Sequence, residues 1–320
     1  YTVEYTTDGQ SVNIVYSGAT NGWIPIEDDT VTDAPYTGNS EGIFGFGWDG
    51  GFAGMTNLVS NAGVVATDVS AVGTARDYLS ACEYGGDKGI FGFGDTAAAG
   101  KVGMTNLVSN AGVVASDVTA VGTARSGSAA CRYGTDTGIF GFGKDDSSKL
   151  GMTNLVSSSG VVASDVTAVG TARAGLAACE YGEDKGIFAY GDTGSASSLS
   201  NLVSNAGVVA SDVTGVGTAR YELAACGYGY DKGIFGYGNG SAVSMTNLVS
   251  NAGVVASDTT GVGTARDSLA ATQYGYDKGI FGFGGGPTAV TNLVSNTGVV
   301  STDVTGVGTA RTKPGACSFN

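Results

Sequence analysis

The chain has 320 residues, a formal net charge of −14 and no histidine, and only 14 % of its residues are charged. The acidic excess excludes a phosphate-backbone binder, which needs a basic stripe; the lack of histidine removes the commonest metal ligand and the commonest general base near neutral pH. No apolar run is long enough for a membrane-spanning helix, and 56 glycines without a G-X-Y period exclude collagen.

Residues 1–41 differ from the rest. Ser11 to Tyr16 alternate as a short strand ending at a Ser-Gly turn, and Trp23 to Ile26 form an apolar patch before the acidic Glu27-Asp28-Asp29. This stretch is expected to be an accessory segment or linker. No signal-peptide pattern is present, and a chain beginning at Tyr1 is expected to be trimmed or part of something longer.

From residue 42 onward the chain repeats. GIFGFG or a near form begins at Gly42, Gly89, Gly138, Gly186, Gly233 and Gly279; NLVS begins at Asn57, Asn106, Asn154, Asn201, Asn247 and Asn292. The arginine of GTAR recurs at Arg76, Arg125, Arg173, Arg220, Arg266 and Arg311, so three independent markers each count six, with a spacing of 45 to 49 residues. A period of this length belongs to units that bury their faces only against neighbours.

Within one unit, Leu79 to Tyr84 alternate small and polar residues, a Gly-Gly-Asp-Lys turn follows, and Gly89 to Gly94 make a second strand. Met104 to Ser109 and Val113 to Val118 predict a third and a fourth, joined by the tight turn Asn110-Ala111-Gly112. β-Branched and aromatic enrichment with regular turns indicates an all-β chain. Four antiparallel strands per unit suit a propeller blade better than a rung of a β-helix.

The order arginine, small-residue strand, Asp-Lys turn, GIFGFG, variable loop and TNLV resembles a kelch repeat over about residues 42–319. The usual later Tyr and Trp are replaced by Leu58, Val59, Val64 and Val65. GIFGFG and TNLVSNAGVV are also similar to repeats in structural, tail-associated proteins of marine bacteriophages. The kelch resemblance implies a six-bladed β-propeller of four-stranded antiparallel blades spanning residues 42–320. Its first blade lacks a good local first strand, because Asp33 to Thr37 contains Pro35. Pro314 to Phe319 (PGACSF) matches the alanine-cysteine pattern, so the C-terminal strand is expected to join blade one and close the ring.

The distance from each arginine to the next Gly-Ile is constant at 13 residues, whereas the distance from the Gly-aromatic-Gly block to the NLVS leucine varies from 9 to 13. Variation thus gathers in one loop class and in the two residues after each arginine. In an up-and-down blade both emerge on one face, where loops on a rigid scaffold commonly bind. Trp48, Phe52, Tyr78 and Tyr221 are the aromatic contact candidates, with Asp49, Asp95, Asp145 and Asp146 as polar partners.

Six aspartates lie eight residues before the arginines: Asp68, Asp117, Asp165, Asp212, Asp258 and Asp303. With Arg76, Arg125, Arg173, Arg220, Arg266 and Arg311 they predict a repeated structural pair, since guanidinium geometry suits carboxylates. A ring of cation-binding carboxylates is the alternative. Lys101, Lys144 and Lys149 are too scattered for a basic patch. Cys82, Cys131, Cys179, Cys226 and Cys317 occupy equivalent places, which suggests small buried hydrophobes rather than a metal or redox pair. GIFGFG lacks the spacing and the Lys-hydroxyl pair of a phosphate loop. Asn239-Gly240-Ser241 matches a glycosylation acceptor, relevant only along a eukaryotic secretory route.

No catalytic residue, metal or cofactor is assigned. The expected function is a non-enzymatic structural and binding propeller, extracellular or on a virion surface, recognising a cell-surface glycan or protein, or other virion proteins. A multivalent lectin, or a polysaccharide-cleaving enzyme using two loop carboxylates, is the alternative; no acid pair has a diagnostic spacing.

Overall fold

The computed structural model describes residues 14–16, 23–25 and 39–320, except 71, 120 and 168. The chain divides into two compact units, Tyr1–Thr37 and Gly38–Asn320. In the first, Ile14–Tyr16 pairs antiparallel with Trp23–Pro25; the rest of the expected strand from Ser11 lies outside the described residues.

The second unit is all-β and contains six three-stranded antiparallel sheets. One is built from Ser80–Tyr84, Lys88–Gly92 and Thr105–Val108, with Cys82 opposite Ile90 and Ile90 opposite Leu107. Four more repeat this order, beginning at Ala129, Ala177, Ala224 and Ala270. The remaining sheet joins the chain's distant parts: Gly315–Phe319 pairs with Glu41–Trp48, which pairs with Phe52–Val59. No sheet closes on itself. Each first strand packs against the first strands before and after it, and Gly315–Phe319 packs against Ser80–Tyr84.

The core lies between sheets. Cys82, Tyr84, Ile90 and Phe93 meet Phe140, Val156 and Val162 of the following copy, and Cys317 and Phe319 meet Phe91, Val108 and Val114. Each fully buried phenylalanine stabilises by about 1.5–3 kcal/mol. Edge-to-face pairs cross every junction, such as Phe93–Phe140 at 5.2 Å and Phe44–Phe283 at 5.1 Å. The glycines of GIFGFG permit this approach. A Cβ on Gly89 would sit 2.4 Å from Cys317 Sγ, and one on Gly92 would sit 2.8 Å from the Phe140 ring.

The fourth expected strand does not form. Val113 to Val118 makes isolated bridges only, Val108 with Val114 and Thr105 with Val118. The cause is the asparagine of NLVS, whose Nδ2 donates to the Ala115 carbonyl at 2.9 Å and to Asp117 Oδ1 at 2.9 Å. A side chain therefore takes an acceptor that a continuous ladder would use. The segment lies on the exterior, with Val113 65 % exposed and Val114 turned inward at 8 %.

The expected pairing of the C-terminal strand with the first sheet is present, but the kelch-like six-bladed propeller of four-stranded blades is corrected to an all-β unit of open three-stranded sheets, none of which closes into a ring among the described residues. The reading of a propeller that recognises its partner through one face of variable loops falls with it.

Candidate ligand cleft

Each arginine is followed by two residues that leave the outer segment and enter a first strand. The second of these has a left-handed backbone in every copy: Tyr78 (φ 50°), Gly127 (62°), Gly175 (63°), Glu222 (53°), Ser268 (53°) and Lys313 (56°). Glycine adopts this conformation freely, whereas a tyrosine, glutamate or lysine there is uncommon. The surroundings hold it: each N–H donates to the carbonyl of the preceding copy, from Gly127 to Tyr78 at 2.9 Å through to Tyr78 to Lys313 at 3.3 Å. These six backbone bonds form one circuit and bring residues far apart in sequence together.

The three charged or aromatic members then interact across that circuit. Tyr78 Oη donates to Glu222 Oε1 at 2.8 Å, and Ser268 Oγ donates to Glu222 Oε2 at 3.0 Å. Lys313 Nζ lies 4.2 Å from the Tyr78 ring centroid and 3.4 Å from Asp77 Oδ2. Burial, then the Glu222 charge and hydrogen bond, push the Tyr78 phenol up. Burial also raises Asp77, an effect that Lys313 partly offsets. Beneath this cover lies a cavity of about 80 Å³, lined in part by Leu79, Leu176, Leu223, Leu269 and Pro314.

Beside it opens a cleft of about 420 Å³, with Tyr78, Tyr221, Lys144, Lys149, Asp192 and Glu222 on its walls. Backbone bridges place these side chains: Ser126 pairs with Lys144, Lys144 with Lys149, Ala174 with Asp192, and Tyr221 with Asn239. Lys149 Nζ contacts Asp192 Oδ2 at 2.8 Å. Burial works to raise Asp192, but the Lys149 and Gly194 hydrogen bonds bring it below the usual carboxylate value.

Of the residues singled out from sequence, Tyr78 and Tyr221 line this cleft. Trp48 and Phe52 instead pack on each other at 5.0 Å at the end of their hairpin, and Asp49 accepts from the Gly51 amide in its turn. Asp95 exchanges backbone bonds with Asp77. Asp145 accepts from the Ser147 and Ser148 amides, and Asp146 binds Lys101 at 2.5 Å. Lys144, Lys149, Asp192 and Glu222 were not singled out as binding residues; their signal was their position in the variable loop and the variable step after arginine.

The repeated aspartates and arginines lie elsewhere, between copies. Arg76 Nη1 is 3.8 Å from Asp117 Oδ1 of the following copy, and the same relation holds for Arg125–Asp165, Arg173–Asp212, Arg220–Asp258 and Arg311–Asp68. All six aspartates, Asp303 included, also accept from the threonine two residues before the arginine, as Asp303 does from Thr264. The partner is thus not the aspartate eight residues upstream. The shorter arginine bond goes to asparagine, Arg76 Nη2 to Asn106 Oδ1 at 2.6 Å, while the guanidinium lies 4.2 Å from the Phe46 ring. Burial pulls Arg76 down to about 10, still cationic at neutral pH.

A second polar cluster lies where Ala81, Ala130, Ala178, Ala225, Ala271 and Ala316 converge on a cavity of about 50 Å³. Arg132 Nε donates to Glu180 at 2.8 Å, Gln273 also reaches Glu180, and Ser318 reaches Glu83. Burial and the neighbouring Glu180 push Glu83 well up. These groups are mutually satisfied and leave space for little beyond water. No family model and no curated protein matches this chain, so the likenesses to kelch repeats and to bacteriophage structural proteins are not supported.

Proposed function

We propose that the protein is a non-enzymatic binding module whose cleft between Tyr78 and Tyr221 takes a saccharide. The observation that carries this reading is the convergence of two tyrosines, two lysines and two carboxylates on one cleft of about 420 Å³. Aromatic faces pack the apolar faces of sugar rings, and fixed polar groups meet their hydroxyls. The left-handed backbone at Tyr78 and Glu222 supports the reading, because unfavourable conformations concentrate at functional positions.

The cleft draws its side chains from four unequal copies, and the equivalent positions elsewhere carry different residues, so one such site is expected among the described residues. A glycan outside a cell, or met at a virion surface, fits the weakly charged exterior. The test is ligand-observed NMR of the intact chain against neutral and acidic oligosaccharides. Saturation transfer to a sugar that disappears in Tyr221→Ala, with the fold unchanged by circular dichroism, is expected. Transfer that survives the substitution overturns this placement of the site.

A further inference from the structure

We infer that the cleft selects an anionic saccharide, one carrying a carboxylate or a sulfate ester, through Lys144; this rests on the cleft being a sugar site. Among the described residues Lys144 is the one lysine without a carboxylate within ion-pair distance. Lys88, Lys185, Lys232 and Lys278 contact the aspartate beside them, and Lys101, Lys149 and Lys313 contact Asp146, Asp192 and Asp77. A lysine without an ion-pair contact is notable in a chain with 29 acidic residues against 15 basic ones.

Its setting makes the charge usable. The Lys144 backbone is pinned on both sides, by bridges to Ser126 and to Lys149. Its ammonium lies 5.7 Å from the centroid of Tyr78, one wall of the cleft. The other charges there are engaged: Asp192 by Lys149, and Glu222 by Tyr78 and Ser268. An entering sugar acid therefore meets a cation with no carboxylate in ion-pair contact, felt at longer range by Asp77 and Asp192, beside an aromatic face, and both cleft carboxylates already have closer donors. The net negative charge of the rest of the molecule repels anions and confines their binding to this point.

The experiment is calorimetric titration of the full chain with a hexauronate, a sulfated hexasaccharide and a neutral hexasaccharide. Wild type, Lys144→Gln, Tyr221→Ala and the control Lys232→Gln are compared. At least one anionic sugar should bind about tenfold more tightly than the neutral one, the scale of one charge-assisted contact. Lys144→Gln should erase that margin, so that anionic and neutral sugars bind the variant equally, and Lys232→Gln, outside the cleft, should change nothing. The two anionic arms separate carboxylate from sulfate recognition. Equal affinity for neutral and anionic sugars, or a margin that survives Lys144→Gln, overturns the anionic selectivity; loss of neutral binding in Tyr221→Ala would then still support the sugar site. If the folded wild type binds none of the three sugars, the saccharide reading itself fails.

Discussion

Tyr78 and Glu222 stand 144 residues apart in sequence and share a 2.8 Å hydrogen bond at the mouth of the cleft. Both lie two residues before a first strand, and both hold a left-handed backbone that glycine fills in two other copies. The bond therefore joins two units at a point where the repeat itself prescribes no side chain.

Removing that phenol in Tyr78→Phe leaves Glu222 with Ser268 as its side-chain donor. The expected loss is about 1.5 kcal/mol, the scale of a hydrogen bond to a charged acceptor, measured as a lower denaturation midpoint with an unchanged slope. Because burial and Glu222 both push this phenol upward from 10.0, the spectrophotometric titration of the folded protein near pH 10 should be the same in wild type and variant. A smaller absorbance step in Tyr78→Phe would show that Tyr78 ionises there.

The asparagine of NLVS is the hub of each junction. Asn106→Ala would strip the buried Arg76 Nη2 and the Ala115 carbonyl of their partner at once, at a cost of about 3 kcal/mol. At the junction between the chain's ends, Asn57 Oδ1 and Arg311 Nη2 have no partner in this structure. Asn57→Ala should therefore cost clearly less than Asn106→Ala in parallel urea titrations. Equal losses would contradict this difference between the junctions.

Gly89 tests the contact between the C-terminal strand and its neighbouring sheet. A β-carbon there meets Cys317 Sγ at 2.4 Å, with its next neighbour, Val108 Cβ, at 3.5 Å. Gly89→Ala should destabilise by about 1–3 kcal/mol through overpacking. Cys317→Ala in the same chain should recover much of it, read as a non-additive double-mutant cycle. Additive losses would show that the clash is not with Cys317.

Acid should loosen the junctions together. Asp117 sits below the ordinary carboxylate value of 3.8: burial raises it, but the Thr74 and Asn106 hydrogen bonds and the Arg76 charge outweigh that, and the five equivalent aspartates behave alike. For an acid whose folded value is depressed, the stabilisation is fully present above the unfolded value and is lost as pH falls through the folded one. Tm should thus hold near pH 5 and fall steeply below about pH 4. Asp117→Asn should have a shallower acid limb, and an unchanged limb would count against these carboxylates as its source.

The sequence by itself determined the all-β class, the six units and the location of variation between the second and third strands and after each arginine. These are local properties: spacing, turn chemistry and alternation repeat because each unit meets the same neighbours. Only the tertiary structure decided that Val113 to Val118 would not extend the sheet. That depends on where the Asn106 side chain points, and a β-strand propensity does not encode an intercepted carbonyl. It also decided that Arg76 meets the aspartate of the next copy, because the outer segment of one unit lies against its neighbour. The cleft was the least legible feature. Tyr78, Lys144, Asp192 and Glu222 come from four different copies, and a local motif search compares equivalent positions, whereas this site is assembled from unequal ones by the backbone circuit beneath it.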